Sequence, residues 1–411
     1  MRRHLPLLGW LAASAVSLTG TRVSMIALPW FVLTTTGSPT LTGLVALAEM
    51  APLVTLKVLS GPIIDRLGPR RVAVVCDAAS LVAVGAIPLL HGLGALPLWS
   101  LLTLVAIAGA LRGPGDAAKH AMAPFIAEHA NAPIERVTGL ESTIERAAGM
   151  LGAALAGVLI AAIGAAEALW LDALGFGVSA LVLAWTTRPL SGPVPAETGE
   201  RDAPYRTRLH EGWRFLRRDR VLLGIALMVA ATNLFDTAYF SVLMPVWADE
   251  PGRGPALLGL LLAIAGGCSA LGSVAASIWA ARLPRYVVFL VAFLIAGAPR
   301  FVALALDIPL AGVIAVIAAG GLAAGFLNPI LGAVIFERIP APLVGRVSSL
   351  INAMAFALMP LGGLLAGALI SGFGLPIAML AIAAGYFCVT ILPALDPRWR
   401  EMDRRSTVHA S

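Results

Sequence analysis

The chain has 411 residues, of which 59% are hydrophobic and only 13% charged, with a formal net charge of +6. A soluble protein carries about a quarter charged residues, so water is not this chain's only solvent. Its apolar runs exceed the roughly 20 residues that cross a bilayer core as helix, and the alternation of barrel strands is missing, which leaves an all-α membrane protein.

The first apolar run, 6–34, follows Met-Arg-Arg-His and contains one charge, Arg22. It is about twice as long as the apolar region of a secretory signal, so it reads as a spanning helix that stays. Breaks at Gly, Pro and charged residues then delimit spans 41–64, 71–92, 97–118, 137–163 and 167–187. After a polar stretch come 220–248, 255–281, 286–306, 309–336, 346–372 and 375–395. The chain divides accordingly into a first six-helix bundle (1–187), a linker (188–219), a second bundle (220–396) and a tail (397–411). The linker is rich in Pro and Gly at first and ends in an Arg-rich segment with Trp213, Phe215 and Leu216. That segment reads as an interfacial helix or as a plain tether.

Basic residues fix the orientation. The termini, the loops after spans 2, 4, 6, 8 and 10, and the adjoining span ends hold 23 Lys and Arg; the opposite loops hold one, Arg253. Both termini are therefore expected in the cytoplasm, and the basic excess is a topology signal rather than a nucleic-acid surface. Cys76, Cys268 and Cys388 fall inside spans and are expected to be small buried apolar residues. No cofactor, metal site or nucleic-acid partner is expected.

Spans 5 and 11 align without gaps at an offset of 210 residues, from Arg136 and Arg346 to Gly164 and Gly374, with Gly152/Gly362 and Gly157/Gly367 in register. Ala27-Leu-Pro-Trp and Leu243-Met-Pro-Val echo each other at offset 216. A six-plus-six duplication with parallel halves accounts for both.

Between spans 2 and 3 stands Gly61-Pro-Ile-Ile-Asp65-Arg66-Leu-Gly68-Pro-Arg70-Arg71. Gly61 is expected to let a helix approach, Gly68 to make a tight turn, and Asp65 to sit at a helix N-terminus. A generic cytoplasmic loop explains the arginines but not Asp65 with both glycines. Span 4 carries Arg112-Gly-Pro-Gly115, and span 5 carries Gly149, Gly152 and Gly157. The loop resembles the G-x-x-x-D-R-x-G-x-R-R gating loop of the major facilitator superfamily. The Arg of span 4 resembles that family's membrane arginine. The glycines of span 5 resemble its exporter motif, with Ala153 where Pro is usual.

With Thr36-Gly-Ser-Pro and Glu211-Gly-Trp-Arg-Phe-Leu, the chain is similar to the multidrug-efflux branch that includes macrolide and tetracycline/aminoglycoside pumps. The resemblance implies a twelve-helix major facilitator fold in a bacterial inner (plasma) membrane. It implies proton-coupled efflux of amphipathic or cationic small molecules by a monomer whose halves rock against each other. Gly20-Thr21-Arg22 stands where that branch often has Gly-Asp. A dedicated carrier of one metabolite, such as a siderophore or lysolipid, and a non-transporting membrane sensor remain the alternatives. No nucleophile set, zinc-protease motif or phosphate loop points to an enzyme.

Ionisable residues inside spans are costly and mark pathways or specific pairs. At 1.5 Å per residue, Arg22, Glu49 and Asp236 each lie about 24 Å from the cytoplasmic end. Arg22 is expected to pair with Glu49, with Asp236 across a central cavity. Glu141 and Glu145 share a helix face, so one is expected to be protonated or matched by Arg112 or, less favourably placed, Arg146. Asp77 and Asp116 are expected to support loops, Arg300 to be structural, and Asp172 to be hydrated near the outer surface.

Overall fold

The structure, a computed structural model, describes residues 4–190, 205–279, 282–340 and 343–403. All regular structure among these is helical. Twelve helices are long and apolar enough to span a membrane. They are α1 (Leu5–Thr36), α2 (Pro39–Leu59), α3 (Pro69–Gly92), α4 (Leu98–Ala130), α5 (Ile134–Ile163) and α6 (Ala165–Thr186). The second set is α7 (Arg220–Ala248), α8 (Pro255–Trp279), α9 (Arg285–Ala305), α10 (Leu310–Ile335), α11 (Val344–Phe373) and α12 (Leu375–Leu395).

Each expected span is present, and α4 differs most, running on to Ala130 instead of ending near 118. Apolar side chains such as Leu174, Leu181 and Trp185 of α6 stand exposed, as helices solvated by lipid require. Cys388 is exposed on α12, a correction to its expected burial; it and the half-buried Cys76 and Cys268 are free thiols.

Chain contacts define two compact units. One holds residues 1–195, 240–263 and 363–371; the other holds 196–239, 264–362 and 372–411. In the first, α1 packs along α5 and α6, α2 along α4, and α3 along α4 and α6. Two close contacts there repeat each other. Gly43 of α2 meets Gly363, and Gly259 of α8 meets Ala153 of α5, at offsets of 216 and 210. Likewise Gly367 meets Pro39, and Gly157 meets Pro255.

In the second unit, α9 packs along α10 and α12, and the N-terminal part of α7 packs along α11. The linker segment Tyr205–Arg218 is helical. Its Leu216 is buried among Leu222, Val347 and Ile351, and Glu211 pairs with Arg346 at 2.7 Å, so it is anchored beyond a plain tether. The expected Pro/Gly-rich part of the linker and the end of the tail lie outside the described residues.

Glycine decides how close two pairs of helices come. A Cβ on Gly109 or Gly113 of α4 would collide with the carbonyl oxygens of Glu49 and Leu53 on α2. In the second half, Gly321 and Gly325 of α10 meet the carbonyls of Ala265 and Ser269 on α8 in the same way. The register is 216 for α2/α8 and 212 for α4/α10. Small-residue seams of this kind replace the hydrophobic effect as the packing force in lipid. Gly109→Val is expected to push α2 from α4 and to cut the yield of monodisperse, detergent-solubilised protein at least tenfold. Gly61→Val, at a position with nothing within 4 Å, leaves that yield unchanged.

Candidate functional site

The gating-loop residues fold as expected only in part. Gly68 takes φ +84°, the turn conformation that glycine tolerates, between a short helix Gly61–Leu67 and α3. Gly61 is exposed and no helix approaches it, which corrects its expected packing role. Asp65 is also exposed and forms no hydrogen bond or ion pair among the described residues, so it caps no helix within them. Arg66 and Arg71 point outward as well. Arg70 does the structural work: it donates to Ala184 O at 2.7 Å and to Thr187 Oγ1 at 3.1 Å, closing the C-terminal end of α6.

The intramembrane charges regroup relative to the sequence expectation. Glu49 is buried and pairs with Arg112, also buried, not with Arg22. The reason is the glycine seam: Gly109 brings the Glu49 backbone against α4, one turn from Arg112. Equal depth on two helices does not make them face each other. Arg22 instead lies over Gly152 of α5, donates to Met25 Sδ at 3.8 Å, and forms no ion pair among the described residues. Its Nε is buried without a hydrogen-bond partner. Of the exporter-like glycines, Gly152 and Gly157 therefore permit close approach, whereas Gly149 has open space beside it.

Asp236 pairs with Arg300 within the second unit, so Arg300, expected to be structural, is the counter-charge of an intramembrane carboxylate. Local sequence sets this up. Gly297, Ala298 and Pro299 break α9, and the helix restarts at Ala298. A side chain at Gly297 would strike Tyr386, whose ring stands 5.7 Å from the Arg300 guanidinium carbon. The Tyr239 and Phe301 rings lie 4.5 and 5.0 Å from the same carbon, so the cation sits among aromatic faces.

Glu141 and Glu145 are matched by neither Arg112 nor Arg146. His120 of α4 lies between them, with Nδ1 at 2.5 Å from Glu141 Oε1 and Nε2 at 3.8 Å from Glu145 Oε1. Arg146 is exposed. Asp77 supports no loop: it is 2% exposed, pairs with Lys119 at 2.9 Å and accepts from Ser179 at 2.6 Å. Lys119 also donates to Ser17 Oγ at 2.9 Å. Sequence reading missed Lys119 and His120 because it ended span 4 at 118 and assigned Lys119 to the loop side. The available signal was spacing, since Lys119 follows Arg112 by seven residues and thus lies two turns along the same face.

Asp172, expected to be hydrated, is wholly buried. Its Oδ1 stands 3.5 Å from Thr21 Oγ1, and Oδ2 has no hydrogen-bond partner. Gly20 gives it room, for a Cβ there would press on Asp172. Ser24, Glu49, Arg112 and Asp172 line one small cavity together with apolar residues such as Leu28 and Leu169. A buried ion pair beside a further carboxylate can bind and release a proton, and can exchange partners. Among the described residues, no cluster of His, Cys, Asp and Glu is arranged to hold a metal ion.

Comparison with known proteins bears on what such a site serves. The family model described as Major Facilitator Superfamily matches residues 10–250 and again 226–406. The chain is 33% identical over 396 residues to the "Multidrug efflux pump Tap" of Mycobacterium tuberculosis, covering 96% of this chain and 94% of that protein. It is 28% identical over 405 residues to the protein of the same name from Mycolicibacterium fortuitum, covering 98% of each. Among solved structures it resembles the nucleoside transporter NupG with a TM-score of 0.73 at 13% identity, covering 95% of this chain and 98% of NupG. It also resembles a bacterial homolog of the human lysosomal transporter Spinster, in an inward-facing and occupied conformation. The TM-score there is 0.74 at 16% identity, covering 98% of each chain. These likenesses to solved structures concern the fold.

Proposed function

The chain belongs to the major facilitator superfamily and is a multi-pass membrane transporter, and we propose that it exports amphipathic or cationic small molecules in exchange for protons. The observation that carries the coupling is the buried Glu49–Arg112 pair with Asp172 on the same cavity. A charge held out of water is expensive, so a carboxylate kept beside a guanidinium in the membrane is poised to trade that partner for a proton. The asymmetry of the basic residues supports placing both termini in the cytoplasm of a bacterial inner membrane.

Residue roles follow from the geometry. Glu49 is the proton acceptor and Arg112 its counter-charge. Glu141 and Glu145, with His120 between them, offer negative charge to a cationic substrate nearer the cytoplasm. Asp236, with Arg300, supplies the second half's polar contact. Asp65, exposed in this conformation, is free to dock against another helix end when the transporter changes state. What supports efflux as the direction is the similarity to pumps of that description together with Gly152 and Gly157.

Cells overproducing the protein are expected to accumulate ethidium several-fold less than control cells. Glu49→Gln is expected to return accumulation to the control level at equal expression. Equal accumulation in overproducing and control cells would rule out export of this substrate class. Narrow resistance, with one metabolite strongly stabilising the purified protein, would point to a dedicated carrier instead.

A further inference from the structure

We propose that Asp172 is the second partner of Arg112: when Glu49 takes up a proton, the Arg112 guanidinium turns across the cavity to the free carboxylate oxygen of Asp172. The inference rests on the proton-coupled reading above and names the device that would perform it.

Three observations point the same way. Asp172 is fully buried, its carboxylate is touched only by the neutral hydroxyls of Thr21 and Ser24 and by the field of Arg112, and its Oδ2 makes no well-formed hydrogen bond. Arg112 is buried too, pairs with Glu49 through one nitrogen, and leaves Nε without a partner. All three side chains line the same small cavity, so the two carboxylates and the guanidinium face one common space.

The duplication supplies an independent argument. At the registers set by the glycine seams, Ala265 stands where α2 has Glu49 and Ala324 where α4 has Arg112. The offset of 210 continues through α6 and α12, where Gly175 matches Gly385 and the buried Phe176 matches Tyr386. It places Ile382 at the position of Asp172. The second half thus closes the corresponding seam with Ala265, Ala324 and Ile382, so the fold does not require the three charges of the first half. They come as a set of two carboxylates and one guanidinium, which one proton renders neutral.

Other charged groups stand in electrostatic reach of the cavity. Arg22 of α1 acts on Arg112 and is drawn toward Glu145 of α5 and Asp116 of α4. Asp77 of α3 is held by Lys119. Asp116 and Asp172 both act on Arg112, and of these Asp172 lines its cavity. In the exchange an O–H bond forms on Glu49 with a proton from water on the entry side. The Glu49–Arg112 pair breaks, the guanidinium pairs with the Asp172 carboxylate, and deprotonation of Glu49 toward the opposite side reverses the exchange.

The test uses the full-length protein as wild type, Glu49→Gln, Asp172→Asn and the double variant, each purified in detergent and reconstituted. Glu49→Gln imitates the protonated state, so Arg112 rests on Asp172 and the yield of monodisperse protein stays within about twofold of wild type. Asp172→Asn alone also folds, because Glu49 still satisfies Arg112. The double variant strands the guanidinium and loses yield at least tenfold. Simple addition of the two single effects, or loss of folding by Asp172→Asn alone, overturns the proposal. In proteoliposomes, Asp172→Asn is expected to bind ethidium within about twofold of wild type but to lose at least tenfold of its transport driven by a pH gradient. Transport at the wild-type rate with an unshifted pH profile overturns it as well. The stability comparison needs no gradient. A wild type that ignores the gradient therefore sinks proton coupling, while additive stabilities sink the partner exchange.

Discussion

Arg112→Leu is expected to remove most of the folded protein, and the further change Glu49→Leu to restore the fold without restoring transport. With Arg112 gone, Glu49 remains buried against α4 with its counter-charge deleted. Breaking a buried pair by removing one member costs about 3–5 kcal/mol, whereas replacing both members with apolar residues is often neutral. The corresponding seam of the second half is closed by Ala265 and Ala324, so this architecture accommodates apolar residues at both positions. Folded yield, read by fluorescence-detected gel filtration, should therefore fall sharply in the single variant and recover to within about threefold in the double. Efflux of ethidium should be absent from both. A double variant that folds and pumps would reduce the pair to scaffolding.

The pair Asp77–Lys119 is expected to behave in the opposite manner. It is as buried as the first pair, and Ser17 and Ser179 complete its hydrogen bonds. Trp10 donates to the Lys119 carbonyl at 3.1 Å on one side of it. Lys119→Met strands Asp77 and should cost about 3–5 kcal/mol, enough to lose most of the folded protein. In Lys119→Met with Asp77→Leu, both fold and ethidium efflux should return. A double variant that folds without transporting would assign this pair a functional charge and move the centre of the mechanism to it. The two experiments separate ion pairs that hold helices together from those that change state.

Much of the fold was readable in the sequence because hydropathy is a local property. A helix that must meet lipid announces itself within its own residues, and the twelve spans needed no knowledge of neighbours. The extension of α4 escaped because its C-terminal end, from Lys119 to Ala130, is no longer uniformly apolar. The repeat was visible in α5 and α11, where glycines at matched contacts had to stay glycine. In α2/α8 and α4/α10 the residues that differ most, Glu49 against Ala265 and Arg112 against Ala324, are the ones of interest, so the register emerged only from which glycine meets which carbonyl.

Pairing was the harder inference. The rise per residue gives depth along each helix for Arg22, Glu49 and Asp236. It carries no information about azimuth or about which helix is the neighbour. Glu49 faces α4 because Gly109 and Gly113 are glycines, Arg22 faces α5 at Gly152, and Asp236 meets Arg300 because α9 breaks at Gly297. Each of these depends on a residue in another segment of the chain, which is why single-helix reasoning did not reach them.

Proton coupling as proposed requires that the buried carboxylate of α2 carry the proton. Purified wild type and Glu49→Gln, in proteoliposomes loaded with ethidium, should be compared under an imposed pH gradient and in gradient-free substrate exchange. We expect the wild type to respond to the gradient, and Glu49→Gln to lose that response while still exchanging substrate at a rate within about threefold of wild type. A Glu49→Gln protein that concentrates substrate against its gradient as the wild type does would contradict the mechanism outright.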